Sequence, residues 1–337
     1  MVDFTVAIRT YNGAKRFPEV LKKLRSQVGT DDMQWEVIII DNNSTDDTAQ
    51  VIRDYQENWP AAYPLKYYFE PEQGASVARR RAIMEARGPL VGFLDDDNVP
   101  APNWVSAAYA FGKTRPNVAA YGGQVHGQFE AEPPPNFHKI ASLLAIKEWG
   151  SQVFRHDGRV LPPGAGLVIR KQAWLDCVPR QLRLRGPIGK SLMLKGEDIE
   201  ALTYIRRAGW EIWYNPEMEV YHRIPHWRLE KEYLLKLCRG VGLSRYTTRM
   251  LGCPSWRKPL MVPLYAVNDL RKMIRHWIQH RHVLHTDTIA ACELELLKSS
   301  LVSPFRVWKE YVLRQWRITI SKDENVETRP AVSGEQG

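Results

Sequence analysis

Cysteine is scarce in this chain, and the four that occur, Cys177, Cys238, Cys253 and Cys292, are scattered without CxxC or CxxH spacing. That pattern offers neither a disulfide framework nor a zinc site, and it is the usage of a reduced, cytosolic protein. Long apolar runs are missing too. The nearest candidate, PLMVPLYAV at 259–267, is broken by Pro263 and falls far short of the ~20 residues a spanning helix needs. The first residues, MVDFTVAIRTYNG, lack the basic-then-apolar pattern of a signal peptide and enter a strand-like segment almost at once. A protein that does not cross a membrane is expected. The balance of 44% hydrophobic and 25% charged residues argues against disorder of the whole chain, and 337 residues suffice for one large domain or two smaller ones.

Net charge is absent from the first two thirds, where residues 1–222 carry 27 Lys and Arg against 27 Asp and Glu. The formal +9 arises in residues 223–322, with 19 basic against 7 acidic residues, while the last fifteen residues carry 1 against 4. Basicity confined to one segment marks a region that meets an anionic surface.

Short apolar runs at 4–8 (FTVAI), 35–40 (WEVIII), 65–69 (LKYYF) and 89–94 (PLVGFL) read as strands covered on both faces. Between them, 14–27 places Phe17, Val20, Leu21 and Leu24 at helical spacing, 44–59 opens with Ser44 and acids suited to a first helical turn, and 75–88 ends in Gly88. This alternation predicts a doubly wound α/β sheet, whose ligands bind at the carboxyl ends of the strands. Those ends carry RTYNG (9–13), DNNSTDDT (41–48), EPEQGASVARRR (70–81) and the acidic run of PLVGFLDDDNVP (89–100). A GxGxxG loop is lacking, so backbone amides alone are poorly placed to hold a bare pyrophosphate. Carboxylates suit a pyrophosphate bridged by Mg²⁺ or Mn²⁺, which would neutralise the acidic cluster and the nucleotide together. An acidic turn capping the next helix is the alternative.

The pieces TYN at 10–12, VIIIDNNSTDDT at 37–48, QGASVARRRAI at 73–83, FLDDDNVPAPNW at 93–104 and GED at 196–198 stand in an order that resembles the family 2 glycosyltransferases. The resemblance covers roughly residues 3–225, and within the family it is to bacterial and cyanobacterial enzymes of exopolysaccharide assembly, of the hormogonium polysaccharide type. It implies a GT-A fold, a Rossmann-like mixed α/β sheet flanked by helices, here with a C-terminal helical extension. It also implies a metal-dependent, inverting, hexosyltransferase-type enzyme that uses a nucleotide sugar, most simply UDP-linked, and a glycan or lipid-linked acceptor.

Carried over by residue, the resemblance puts Thr10 and Asn12 in the loop lining the nucleobase pocket and makes Asp41 the acceptor for the N3–H of a uracil-like ring. Asn12-Gly13 is also a turn dipeptide, and Asp41 also suits an Asx cap. Gly74 and Arg79 approach the nucleotide from the other side, Arg79 at phosphate or ribose; Arg80 stands where the family usually has Asn. In the acidic run Asp97 is the metal ligand and Asp95 meets the ribose or the metal, with Asp96 the replaceable middle residue. The register Asp96 and Asp97 is equally open.

An acceptor hydroxyl needs a positioned general base. KGEDIEALTYIRRAG (195–209) offers Glu197 and Asp198 at the start of a helix; the family's ED motif makes Asp198 that base, with Glu197 contacting the acceptor or orienting the site. A charged first turn that stabilises the helix dipole is the bland alternative. PPGAGLVIRKQAW (162–174) sets Gly164 and Gly166 before a strand as a close-approach loop for donor sugar or acceptor. PEMEVYHRIP (216–225) sets His222 just after a strand, where some relatives carry a further ligand to metal or pyrophosphate, with Arg223 beside it for the leaving group.

The expected organisation is a catalytic domain over 1–225, a basic helical extension over 226–320 and a disordered polar tail over 321–337. The extension mixes Leu, Trp and Tyr with Arg and Lys, as do helices that lie on anionic membranes, or it is a folded appendage with a solvated basic face. A cytoplasmic protein, peripheral on the inner face of the plasma membrane, follows from the first reading. Nucleic acid is not an expected partner, because the neutral α/β part with its acidic strand ends would be unexplained. Two other classes remain: a sugar-nucleotide nucleotidyltransferase, which would begin with a glycine-rich loop that RTYNG does not match, and a non-catalytic nucleotide-sugar binding protein, which would have no use for Asp198.

Overall fold

The computed structural model describes residues 1–158, 160–186 and 195–327. The first half alternates as its periodicity predicts: β1 (Phe4–Thr10), α1 (Phe17–Arg25), β2 (Trp35–Asp41), α2 (Thr48–Glu57), β3 (Leu65–Phe69), α3 (Ala75–Glu85) and β4 (Leu90–Asp95). There follow β5 (Asn98–Pro100), α4 (Trp104–Lys113), β6 (Val118–Phe129), β7 (Phe154–Arg155), β8 (Val168–Arg170), α5 (Lys171–Cys177), α6 (Glu197–Arg207) and β9 (Glu211–Ile224). The 3₁₀ turn His226–Leu229 leads into α7 (Lys231–Leu251), α8 (Lys258–His280) and α9 (Thr288–Glu327). The last helix thus continues to Glu327, seven residues into the segment expected to lack structure, and 328–337 lie outside the described residues.

One mixed sheet runs in the order β3-β2-β1-β4-β8-β6-β9-β5, with β7 paired to β9. Strands β1 to β4 are mutually parallel, whereas β8 is antiparallel to both its neighbours. The chain moves from β1 outward through β2 to β3 and then crosses to the far side of β1, which opens a crevice at the carboxyl ends of these strands. Register decides what gathers there: Thr10 lies opposite Asp41, and Arg9 opposite Asp95.

Alternate residues of the central strands feed opposite faces of the sheet. Phe4, Val6, Ile8, Val37 and Ile39 pack with α1 and α4, while Ala7, Ile38, Ile40 and Phe93 pack with α3, α5 and α6. A third apolar cluster joins Leu234, Leu237 and Cys238 of α7 and Ile289 and Cys292 of α9 to Phe137, Ile140, Leu144 and Ile224. The C-terminal helices are therefore packed into the molecule through a shared core.

Candidate active site

A cavity of about 1780 Å³ opens over the carboxyl ends of β1 and β4, with Thr10, Asn12, Asp95, Asp96 and Asp97 on one wall, Asp198 and His222 beside them, and Arg245 and Tyr265 of the C-terminal helices opposite. The aspartates end a buried strand, and each meets its own arginine. Arg9 donates to Asp95 at 2.5 Å, Arg16 donates to both oxygens of Asp96 at 2.7 and 2.8 Å, and Arg228 donates to Asp97 at 2.9 Å. The neutralising charges expected from metal and nucleotide are thus supplied first by the protein.

Asp96 also accepts from the Thr10 hydroxyl at 2.5 Å and is 6% exposed. Burial pushes its carboxyl up against the pull of Arg16. Asp96, expected to be the replaceable middle residue, is thus bonded within the protein on both oxygens. Asp95 is the more open carboxylate, at 33% side-chain exposure, and is turned to Arg9.

Asp97 is buried, which disfavours its ionised form, yet His222 and Arg228 outweigh burial and hold the carboxyl well below the usual carboxylate range. His222 lies within β9 and not after it. Its Nδ1 donates to the Leu144 carbonyl at 2.8 Å, which turns Nε2 toward the Asp97 carboxylate at 3.6 Å. One ionised carboxylate and one oriented imidazole fit a divalent cation such as Mn²⁺. No cluster of three or more His, Cys, Asp or Glu placed to hold a metal occurs among the described residues. Further ligands would therefore have to come from bound phosphate or water. Arg228 sits 3.2 Å from His222 Nε2 as well, bridging the two groups. Arg223, by contrast, pairs with Glu19 at 2.5 Å, so the arginine that reaches Asp97 is Arg228.

The nucleotide side is assembled by loop bonds. Asn12 has left-handed backbone (φ 52°), its N–H donates to Ser44 at 2.9 Å, and its side-chain oxygen accepts from the Thr45 N–H at 2.8 Å. Asp41, 2% exposed, accepts from the Ser44 N–H at 2.9 Å and from the Tyr67 hydroxyl at 2.8 Å, so the Asx turn is real and sits behind the cavity wall. Gly74 caps α3 and donates its N–H to Asn42 at 2.7 Å.

Arg79 departs from expectation. It is wholly buried, with its guanidinium 5.0 Å from the centre of the Phe93 ring and none of its nitrogens hydrogen-bonded. It lies beneath the cavity and does not line it. A Cβ at Gly164 would come within 2.5 Å of Arg79 and 3.2 Å of Asp198, so only glycine leaves room for both. Gly166, with φ +70°, would clash with Val220 at 2.8 Å if it carried a Cβ; it serves strand packing, and Gly164 is the glycine at the cavity.

Beside this loop, Gly196 admits α6, whose first residues are Glu197 and Asp198. Glu197 is 5% exposed and accepts from Arg9 at 2.9 Å. Burial opposes its charge, but Arg9 and then Arg79 hold its carboxyl down at about 2. Asp198 goes the other way: burial and the negative Glu197 beside it push its carboxyl up, only partly offset by Arg79. Adjacent carboxyls driven apart in this manner are what acid and base chemistry requires. Arg9, Arg16 and Arg228 stand in no motif of the sequence that marks them as site residues. Only the register of β1 against β4 gives Arg9 away, and nothing local betrays Arg228.

The glycosyl transferase family 2 model matches residues 5–173, half of the chain. The uncharacterised glycosyltransferase YibD of Escherichia coli is 35% identical over 98 residues, 29% of this chain and 27% of that protein, so the chain spans little more than a quarter of that relative. The succinoglycan biosynthesis protein ExoM of Rhizobium meliloti is 24% identical over 66% of this chain and 68% of its own length. An uncharacterised glycosyltransferase of the cyanobacterium Nostoc is 32% identical over 102 residues, 30% of this chain and 30% of that protein, so cyanobacterial enzymes are among the relatives without being singled out. Among solved structures, the mannosyltransferase PcManGT of Pyrobaculum calidifontis, in complex with GDP-Man and Mn²⁺, superposes with a TM-score of 0.57 at 17% identity, over 89% of this chain and 86% of that one. S. aureus TarS 1-349 in complex with UDP-GlcNAc gives 0.51 at 15%, over 89% and 91%. They share the GT-A fold seen here. With the family model covering β1 to α5 and the acidic strand ends in place, the chain belongs to glycosyl transferase family 2.

Proposed function

We propose that the protein is an inverting, hexosyltransferase-type glycosyltransferase that uses Mn²⁺ or Mg²⁺ and moves a sugar from a UDP-linked donor to a hydroxyl of a glycan or lipid-linked acceptor in polysaccharide assembly. The observation that carries this reading is the placing of Glu197 and Asp198 in one cavity with the Asp95 to Asp97 loop, where Arg9 bridges Glu197 at 2.9 Å and Asp95 at 2.5 Å.

In the step itself, the Asp198 carboxylate takes the proton of the acceptor hydroxyl, and the freed oxygen pair forms the new bond to the anomeric carbon. The bond from that carbon to the diphosphate oxygen breaks, and its electron pair leaves with the nucleoside diphosphate. Attack from the face opposite the leaving group inverts the configuration. Glu197 stays ionised under Arg9 and fixes the start of α6. Asp97 and His222 would hold the cation, which when bound offsets charge on the leaving diphosphate. Asp41, 2% exposed and accepting from Ser44 and Tyr67, braces the loop that would line the base pocket.

The donor class is supported by the nucleotide sugars bound to PcManGT and TarS, the metal by the Mn²⁺ of PcManGT, and the pathway class by the name of ExoM. The test is a panel of UDP- and GDP-sugars incubated with Mn²⁺, with release of nucleoside diphosphate and the anomer formed read by NMR. Metal-dependent turnover of a UDP-sugar to the inverted anomer is expected. Binding without turnover would instead make the chain a non-catalytic binder, and retention of configuration would remove the single-displacement step.

A further inference from the structure

We propose that the outward face of α8 docks the protein on an anionic lipid bilayer, with the helix lying in the plane of the headgroups. Helix α8 is 23 residues, roughly 35 Å at 1.5 Å per residue. Leu260, Leu264 and Val267 follow one another at steps of four and three residues, Arg271 comes four residues on, and Ile274 and Ile278 continue at three and four, which aligns one apolar stripe with a single cation set in it. The apolar residues are all exposed, from 47% for Ile274 to 66% for Val267. A monomer surface rarely leaves so regular an apolar stripe to water.

Charge selects the occupant. The only acid of α8, Asp269, is turned inward, 2% exposed and gripped by Arg249 at 2.5 and 3.0 Å. Arg271, Lys272 and Arg275 are exposed, so the outer surface of α8 carries cations and no carboxylate. A second copy packed on this stripe about a twofold axis would bring like charges together with no acid on either helix to pair them. An anionic membrane surface meets both features, the apolar stripe below the headgroups and the cations among them. No helix among the described residues is long and apolar enough to cross a membrane, so α8 would lie on it. Met261 and Tyr265 on another side of α8 line the large cavity, which places the cavity beside the docking face.

This docking is independent of the transfer reaction, and its test needs no donor. The full chain is co-sedimented with vesicles of phosphatidylcholine alone and with vesicles mixed with phosphatidylglycerol, while light scattering reads its oligomeric state. Binding to the phosphatidylglycerol vesicles only is expected. Replacing Arg271, Lys272 and Arg275 with Gln should weaken it roughly 100-fold, at about fivefold per basic residue. Leu264→Asp with Ile274→Asp should weaken it ~10-fold or more. All five positions are solvent-exposed, and circular dichroism with an unchanged melting temperature checks that the variants fold. Three results would overturn the proposal: no binding to either vesicle, binding unaffected by both sets of substitutions, or a dimer in solution that the stripe variant converts to monomer.

Discussion

Asp96 keeps both carboxylate oxygens occupied, by Arg16 on one side and Thr10 on the other, in a buried position directly above Gly13. Asp96→Ala would strand the Thr10 hydroxyl and cost about 1–3 kcal/mol, the range for a buried polar group left without its partner. The half-exposed Arg16 can turn to water, which keeps the loss below that of a fully buried pair. Urea unfolding of the variant reads this directly; an unchanged midpoint would mean the contacts are idle. Asp198 yields a pH prediction. Its carboxyl is raised by burial and by Glu197, and the base form is the ionised one, so activity is lost as pH falls through that raised value. The acidic limb of the kcat/KM profile should therefore lie above the ~4 of an ordinary carboxylate. A limb at or below that figure would speak against Asp198 as the titrating base.

At the scale of elements, the 3₁₀ turn His226–Leu229 delivers Arg228 to the Asp97 and His222 pair. A guanidinium in that place competes with a divalent cation for the same acceptor atoms. Arg228→Gln is accordingly expected to bind Mn²⁺ more tightly, by about tenfold or ~1.4 kcal/mol, as read by calorimetry; weaker binding would assign Arg228 to the diphosphate instead. The four strands and three helices of the first half were legible in sequence because each is a short buried run or an amphipathic stripe with clear punctuation. So were the acidic strand ends, because local motifs mark them. Arg9, Arg79 and Arg228 were not legible in the same way. Arg9 becomes a site residue only through the β1 to β4 register, Arg79 turns under the cavity because α3 packs its inner face on Phe93, and Arg228 lies far along the chain from Asp97. Gly164 and Gly166 read alike in sequence and separate only when their neighbours are known.

For the molecule as a whole, the C-terminal helices are less an appendage than part of the core. Removing residues 226–337 would strip cover from Phe137, Ile140, Leu144 and Ile224. Leu144 also supplies the carbonyl that orients His222, so the same cut reaches the proposed metal site. A chain ended at 225 should melt at markedly lower temperature and bind nucleotide poorly, which differential scanning calorimetry and calorimetric titration would show. A fully stable truncated chain would mean that the shared cluster contributes little. The proposed transfer depends most on Asp198 as the base in a donor-binding cavity. Its most direct test compares Asp198→Asn with the unaltered protein for Mn²⁺-dependent transfer and for UDP affinity. Transfer should fall by ~10²-fold or more with UDP affinity nearly unchanged; full transfer by the variant would contradict it.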